Sequence, residues 1–486
     1  MNAVTELADE LLDAINEHDP LVATLGGFRD RDDRLRDYSE AGEAATVARL
    51  GGILARARDL DPAGLPAGDR VTVAVIDALG GAVVDRLAAR SVEYTIAPAD
   101  VAPAAALIYA LPMTGIREPA HADGYLARLR AIPPLLATVA DRHRAGVAAG
   151  RLPVRRLVDA AVAHLDRYLA NRDDNPLRRP ADGAAFAAER DRLIDGVVCE
   201  AFARYRAVLA NEITPPARPD DRAGLCWLPD GEATYGKLIR AQTTVARSAE
   251  ELHRTGLDLI ERLAAEYRAI GGRTFGPIEL PDLFERLRTD PALRWRDGAE
   301  ILATARAIVA RAEAVAPLWF GRLPRHPCLV DAIPADDAPG APGGSYLRAA
   351  LDGSRPGIYF ANTYRARERS RYNAEAVAYH EAVPGHHVQV ALAQELPDLP
   401  MLRRSALINA FAEGWGLYAE RLADEMGLYT DDLARLGMLA GDSIRAARLV
   451  VDTGIHAHGW DRRRVVDFLR ANTPMPQVDI EQETDR

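Results

Sequence analysis

His380 and Glu381 are adjacent, and His386 and His387 follow at i+6 and i+7 from His380, in the run Tyr379-His380-Glu381-Ala382-Val383-Pro384-Gly385-His386-His387. The run begins like HExxH, in which two histidines one helical turn apart hold zinc and the glutamate between them serves as general base. Here the second histidine comes at i+6. On an unbroken helix that position lies ~9 Å along the axis and on the wrong side. Pro384 stops helical hydrogen bonding and Gly385 accepts unusual backbone angles. A two-residue bulge is therefore expected to return His386 to the side of His380. We expect a helix through His380-Glu381, a break over Val383 to Gly385 and a new helix near His386. A longer bulge that delivers His387 instead is the competing geometry.

Such a site needs a third ligand, expected to be a carboxylate on a neighbouring helix. The segment 405–426 offers Glu413. Its apolar stripe is Leu407, Phe411, Trp415, Tyr418, Leu422 and Met426, with Trp415 and Phe411 read as core and Glu413 roughly opposite. Gly414 and Gly416 flank Glu413 and permit close backbone approach. Glu420, two turns on, is placed to orient a histidine. A further helix carries Arg448, Asp452 and His456 at i, i+4 and i+8. That polar stripe is expected to set His456 over the zinc, oriented by Asp452; for Arg448 and Asp452 a simple i,i+4 ion pair is the alternative. Gln389 is a weaker candidate, and His458 reads as a surface residue.

The elements that must position these groups are mostly helices. Apolar residues recur at helical spacing around 3–17, 69–90, 123–149, 183–211, 247–270, 297–315, 371–381, 386–395, 405–426, 431–455 and 462–471. Two Pro/Gly-rich joints interrupt them. Residues 213–224 separate an N-terminal helical lobe, 1–220, from a catalytic lobe, 221–486. Residues 323–344 form a long irregular segment just before the chemistry, and loops of that length are often functional. The best strand is 357–363 (GIYFANT), with partners around 327–333 and 345–349; its functional reading is an edge that pairs with an extended peptide. The fold class is mostly α with one small sheet.

Composition sets the outer bounds. The chain has 486 residues and a formal charge of -11, which disfavours a non-specific nucleic-acid binder. Lys237 is the only lysine, a bias from which no mechanism follows. Cys199, Cys226 and Cys328 are widely spaced and form no disulfide framework, which suits a reducing compartment. The N-terminus lacks a basic and apolar leader pattern, and the longest apolar run, 101–116, is short and broken by Pro103 and Pro112. The expectation is a cytoplasmic protein that engages neither membrane nor nucleic acid.

The motifs HEAVPGHH, AFAEGWGLYAE and RLVVDTGIHAHGW together resemble the bacterial zinc-peptidase-like family called domain of unknown function 885. The similarity continues upstream in LPDGEATYGKLIRAQTT and LDGSRPGIYFANTY and spans about 21–486. The resemblance implies a bilobed, gluzincin-type helical fold, related in architecture to angiotensin-converting enzyme and carboxypeptidase Taq, with the small sheet near the cleft. It also implies one zinc ion per chain on His380, His386 and Glu413, with Glu381 as base. His387, Glu420, Arg448, Asp452 and Tyr364 are then second-layer or substrate-contacting candidates. Family members usually continue past the equivalent of Asp485-Arg486 into a segment with a tyrosine. In its place Tyr364 or His456 is expected to help stabilise the oxyanion.

The expected activity is zinc-dependent hydrolysis of short peptides by activated water, with Glu381 moving the proton and His456 the first choice for the oxyanion. A hydrolase for one amide- or ester-containing small metabolite is the first alternative. A catalytically weak peptide-binding scaffold is the second, on the ground that the chain stops before that C-terminal segment.

Overall fold

The periodic apolar positions fold as helices in the computed structural model, which describes residues 2–334, 338, 341–351, 355–406 and 408–486. The first half holds α1 (Ala3–His18), α2 (Pro20–Leu25), α3 (Glu40–Arg58), α4 (Ala67–Ala88), α5 (Pro103–Ala110), α6 (Pro119–Ala148), α7 (Arg155–Ala170), α8 (Gly183–Leu193) and α9 (Cys199–Val208). The second half holds α10 (Gly231–Thr243), α11 (Ala249–Phe275), α12 (Leu280–Thr289), α13 (Gly298–Val315), α14 (Ala374–Glu381), α15 (His386–Gln394), α16 (Met401–Ser405), α17 (Asn409–Glu425), α18 (Asp432–His456), α19 (Arg462–Asn472) and α20 (Gln477–Asp485). Their starts follow local chemistry. Asn2 caps α1 by accepting the Thr5 N–H at 2.9 Å, and Ser248 and Glu251 form a reciprocal capping box on α11.

Three of the apolar cores among the described residues matter most for placing the site. Leu7, Leu11, Leu50, Ile53 and Ile76 form one, which Leu402 of α16 joins from far along the chain. Leu129, Ile132, Val139, Leu165 and Phe202 centre a second, built wholly from residues 21–217. Leu263, Tyr267, Phe284, Ile308, Tyr379 and Leu439 belong to a third, which underlies the candidate site. In this last part α11 runs against α18 at close range. A Cβ on Gly256 would lie 2.6 Å from Val450 Cγ2 and 3.0 Å from the Ala446 carbonyl, so glycine is what lets the two helices approach.

The sheet has three strands, β1 (Leu329–Ala332), β2 (Gly344–Leu347) and β3 (Ile358–Ala361), in the order β1-β3-β2. Leu329 pairs with Ile358 in the parallel ladder, and Leu347 pairs with Ile358 in the antiparallel one. The expected strand and both partners are present. Its expected role as an edge is corrected, because β3 is central and both its ladders are filled. The segments 323–344 and 352–357 are described only in part, since 335–337, 339–340 and 352–354 lie outside the described residues. The helix expected over 405–426 forms as α17 from Asn409 to Glu425, beginning four residues later because Ser405 ends α16, and Leu407 lies outside the described residues. No helix among the described residues is long and apolar enough to cross a membrane.

Candidate metal centre

The bulge between α14 and α15 spans four residues. Ala382 (φ −106°, ψ −102°) and Gly385 (φ −79°, ψ −131°) both leave helical geometry, and His386 opens the new helix. Gly385 is needed for space rather than for a left-handed backbone. A Cβ there would fall 1.9 Å from the His380 carbonyl oxygen and 2.3 Å from that of Tyr379. The Pro384 carbonyl is not left bare, which would be costly in a buried segment, and Gly385 O already accepts the Gln389 N–H at 3.2 Å. Trp415 Nε1–H donates to Pro384 O at 3.0 Å and Gly385 O at 3.2 Å.

This geometry returns His386 to His380. Their ring centroids are 4.6 Å apart at 84°. Glu413 of α17 reaches both: Oε2 is 3.5 Å from His380 Nε2 and Oε1 is 3.7 Å from His386 Nε2. One ligand atom from each of the three residues lies within 4.8 Å of the others. His387 turns away. Its Nε2 lies 3.0 Å from the His326 carbonyl, and Tyr346 Oη lies 3.1 Å from its Nδ1. Both ring nitrogens are thus engaged elsewhere, and the longer bulge is not formed.

A second layer holds the first ligand. Glu420, 2% exposed, places Oε1 2.8 Å from His380 Nδ1. Arg445 Nη2 approaches the same Nδ1 at 3.3 Å and Glu420 Oε1 at 3.8 Å. Two glycines make room. A Cβ on Gly416 would meet His380 Cε1 at 2.5 Å and Nε2 at 2.6 Å, and one on Gly441 would meet Glu420 Oε2 at 2.6 Å. Gly414 has no such role, because nothing lies within 4 Å of its missing Cβ. Neither Trp415's hold on the bulge nor Arg445 was singled out from the sequence. The signal available for Trp415 was its place two residues after Glu413; Arg445 carries none beyond being a cation on α18.

Several expected groups fall elsewhere. His456 is corrected: the Leu225 N–H donates to its Nδ1 at 3.2 Å, and its ring sits 5.3 Å from that of Tyr235. Eleven residues separate it from Arg445, about 16 Å along α18. Asp452 accepts from Tyr235 Oη rather than orienting His456. Arg448 pairs with Glu483 of α20 at 2.6 and 2.7 Å, so the i,i+4 pair with Asp452 does not form, but it stays close enough to the site for the charge of Glu413 to act on it. Tyr364, 37% exposed, takes Arg365 Nε on its hydroxyl at 3.2 Å. Gln389, by contrast, stays at the site: it donates to the Phe411 carbonyl at 3.3 Å and its side chain also hydrogen-bonds His386. His458 is exposed, as expected, and lies 3.7 Å from Glu250. The apolar stripe of α17 is also corrected. Phe411 and Tyr418 are 64% and 50% exposed, while Ala412, Gly416, Ala419, Glu420 and Ala423 form the buried face with Leu422.

The charges suit a cation. Burial opposes charge on His380, yet Glu413 and Glu420 outweigh it and raise its pKa to about 9. The hydrogen bond with His380 lowers Glu413 to about 2. Burial, then the charge on His380, lowers His386 to about 4. Two carboxylates therefore converge on one imidazole, with a second neutral imidazole alongside. Two His nitrogens and a carboxylate oxygen are a donor set for zinc with a position left open. Burial also raises Glu381, the residue after His380, to about 7.

The family model DUF885, described as "Bacterial protein of unknown function", matches residues 20–486. A solved structure of a candidate lipoprotein from Colwellia psychrerythraea superposes with a TM-score of 0.87 at 24% identity, covering 99% of this chain and 88% of that one. A second, from a candidate lipoprotein of unknown function of Shewanella oneidensis, superposes with a TM-score of 0.72 at 16% identity, covering 100% and 89%. These likenesses are to the fold. No curated protein matches the chain.

Proposed function

The chain belongs to the DUF885 family, whose function is unknown, and we propose its activity from the site itself: a zinc-dependent hydrolase that cleaves short peptides. The observation that carries this reading is the convergence of His380, His386 and Glu413 within 4.8 Å, with Glu381 next in sequence to the first ligand. His380, His386 and Glu413 would hold the metal, and Glu420 would keep the His380 ring in place through Nδ1. A zinc ion bound there supplies a Lewis acid and lowers the pKa of water towards 7. Glu381 accepts a proton from the attacking water and then gives it to the leaving amine. It is suited to both steps, because burial brings its affinity for a proton close to neutrality and it makes no hydrogen bond or ion pair with a described residue.

Digestion of a peptide library by zinc-loaded protein tests the proposal, with His380→Ala as control. Cleavage at many sequences that disappears in the variant supports a peptidase. Silence on all peptides, with the metal bound, overturns the peptidase reading.

A further inference from the structure

Away from the metal ligands, a cavity of about 1150 Å³ opens where the 94–101 loop, α7, the 218–225 segment, the end of α18 and α20 meet. That is slightly above the roughly 300–1,000 Å³ usual for small-molecule sites. Its exposed surface is mostly apolar, with Ile96, Val101, Leu157 and Val478 among the walls. Val101 and Val478 are 68% and 60% exposed, so large apolar side chains face water here.

Two polar groups on the lining each have one nitrogen with no protein partner among the described residues. Arg218 is 7% exposed, and its Nε and Nη1 donate to the carbonyls of Leu152 (2.7 Å), Arg222 (2.8 Å) and Gly224 (2.6 Å). Its Nη2 has no hydrogen-bond partner among the described residues, and no described carboxylate forms an ion pair with it. That nitrogen is the part of the guanidinium still open to solvent, so it can donate to an anion that enters the cavity. Burial opposes the charge on Arg218 and lowers its pKa to about 10, which still leaves it a cation at neutral pH. His456 is the second group. Its Nδ1 accepts the Leu225 N–H at 3.2 Å, so in the neutral ring the proton sits on Nε2. That Nε2–H also has no protein partner among the described residues.

We propose that this cavity binds a small organic monocarboxylate with an apolar body, its carboxylate on Arg218 Nη2 and His456 Nε2 and its body against the apolar walls. A single negative charge fits better than a phosphate. Arg155, Arg156, Arg218 and Arg486 line the cavity against Asp159, Asp220, Glu481 and Asp485, so its walls carry no net positive charge; Arg156 is already paired with Asp485 at 3.0 Å, Arg155 donates to the carbonyls of Pro215 and Ala217, and of the four only Arg218 is buried. An apolar body is required because a fully polar ion would leave the walls facing water. The carboxylate could come from a medium-chain fatty acid or from the C-terminus of an apolar peptide. The site stands apart from the proposed hydrolysis and does not depend on it.

Calorimetric titration of the full chain with octanoate, with a trileucine peptide and with octan-1-ol and octylamine tests the proposal. At least one carboxylate is expected to bind saturably, and which one binds identifies its source. Neither neutral alcohol nor amine is expected to bind. Arg218→Gln is expected to weaken binding about tenfold or more, as for loss of a charged hydrogen bond. Ala160→Trp, on the half-buried wall from α7, is expected to abolish it by filling the space. Arg218 also secures three carbonyls, so if Arg218→Gln does not fold, Ala160→Trp and the octanol comparison decide. Binding by neither carboxylate, equal binding by octanol, or binding that survives Ala160→Trp each overturns the proposal.

Discussion

Glu381 has a neighbour's fate written into its position: it follows a ligand on the last turn of α14, and burial raises its pKa to about 7. Glutamine keeps its size but cannot take up a proton. Glu381→Gln is therefore expected to bind zinc with wild-type stoichiometry by elemental analysis while turnover falls by ~10²–10⁴-fold. Near-normal turnover on a verified peptide would remove Glu381 from the proposed role. Glu420 calls for a different readout. It touches no ligand atom of the triad and acts through His380 Nδ1 at 2.8 Å. Glu420→Gln is expected to weaken zinc binding by about 10–100-fold in a chelator competition, as for other groups that orient a ligand. An unchanged affinity would make the Glu420 contact merely structural. The triad was legible in the sequence because few residue types and spacings allow three donors to converge. The stripe Arg448, Asp452 and His456 was misplaced for a physical reason. Periodicity tells which face of a helix a residue shares, but not how far along the axis a neighbour sits, and His456 lies about 16 Å from the level of Arg445.

The α17 helix shows what hydrophobicity alone misreads. Its large apolar residues suggested the packed side, yet Phe411 and Tyr418 face outwards and a row of small residues packs inwards. Close approach is what the site requires of this helix, because Glu413 must reach two histidines and Gly416 must pass the His380 ring. Size, not apolarity, then decides which face is buried. Gly416→Ala is expected to displace the imidazole and cut zinc affinity at least about 10-fold, while the same change at Gly414 leaves it unaltered. Equal effects at the two glycines would sink this account. The bulge itself was legible from Pro384 and Gly385, but its support was not. Trp415 donates one indole N–H to two carbonyls at the break, a contact that joins α17 to the bulge and that only its place two residues after Glu413 hinted at. Trp415→Phe keeps most of the packing and removes that donor. A loss of about 1–2 kcal/mol in urea unfolding is expected, the usual penalty for a buried acceptor left unpaired, here Pro384 O, since Gly385 O keeps the Gln389 N–H at 3.2 Å. A stability within error of wild type would show that the Pro384 carbonyl finds another donor.

Across the whole molecule, the proposed metal ties together α14, α15 and α17, three elements of one core, whereas the core built from residues 21–217 contributes no ligand to it. The two regions should therefore answer to different solution conditions. The N-terminal core contains its own titrating group, His143, fully buried on α6 with Nε2 2.8 Å from Tyr205 Oη of α9. Burial lowers its pKa from 6.5 to about 4. In the unfolded chain the imidazole takes a proton as pH falls below 6.5, whereas in the folded protein it stays neutral until about pH 4. Between those values the unfolded state binds more protons, so stability is full above pH 6.5 and declines as pH falls through the window. Two pH units of that difference correspond to on the order of 2–3 kcal/mol. His143→Gln keeps a polar partner for Tyr205 but has nothing to protonate. Urea unfolding at pH 7 and pH 4.5 is expected to show a smaller acid-induced loss in His143→Gln than in wild type. The metal ligands titrate equally in both proteins, so their contribution cancels in that comparison. Identical losses in the two proteins would mean that His143 is not the group that makes the N-terminal core acid-sensitive.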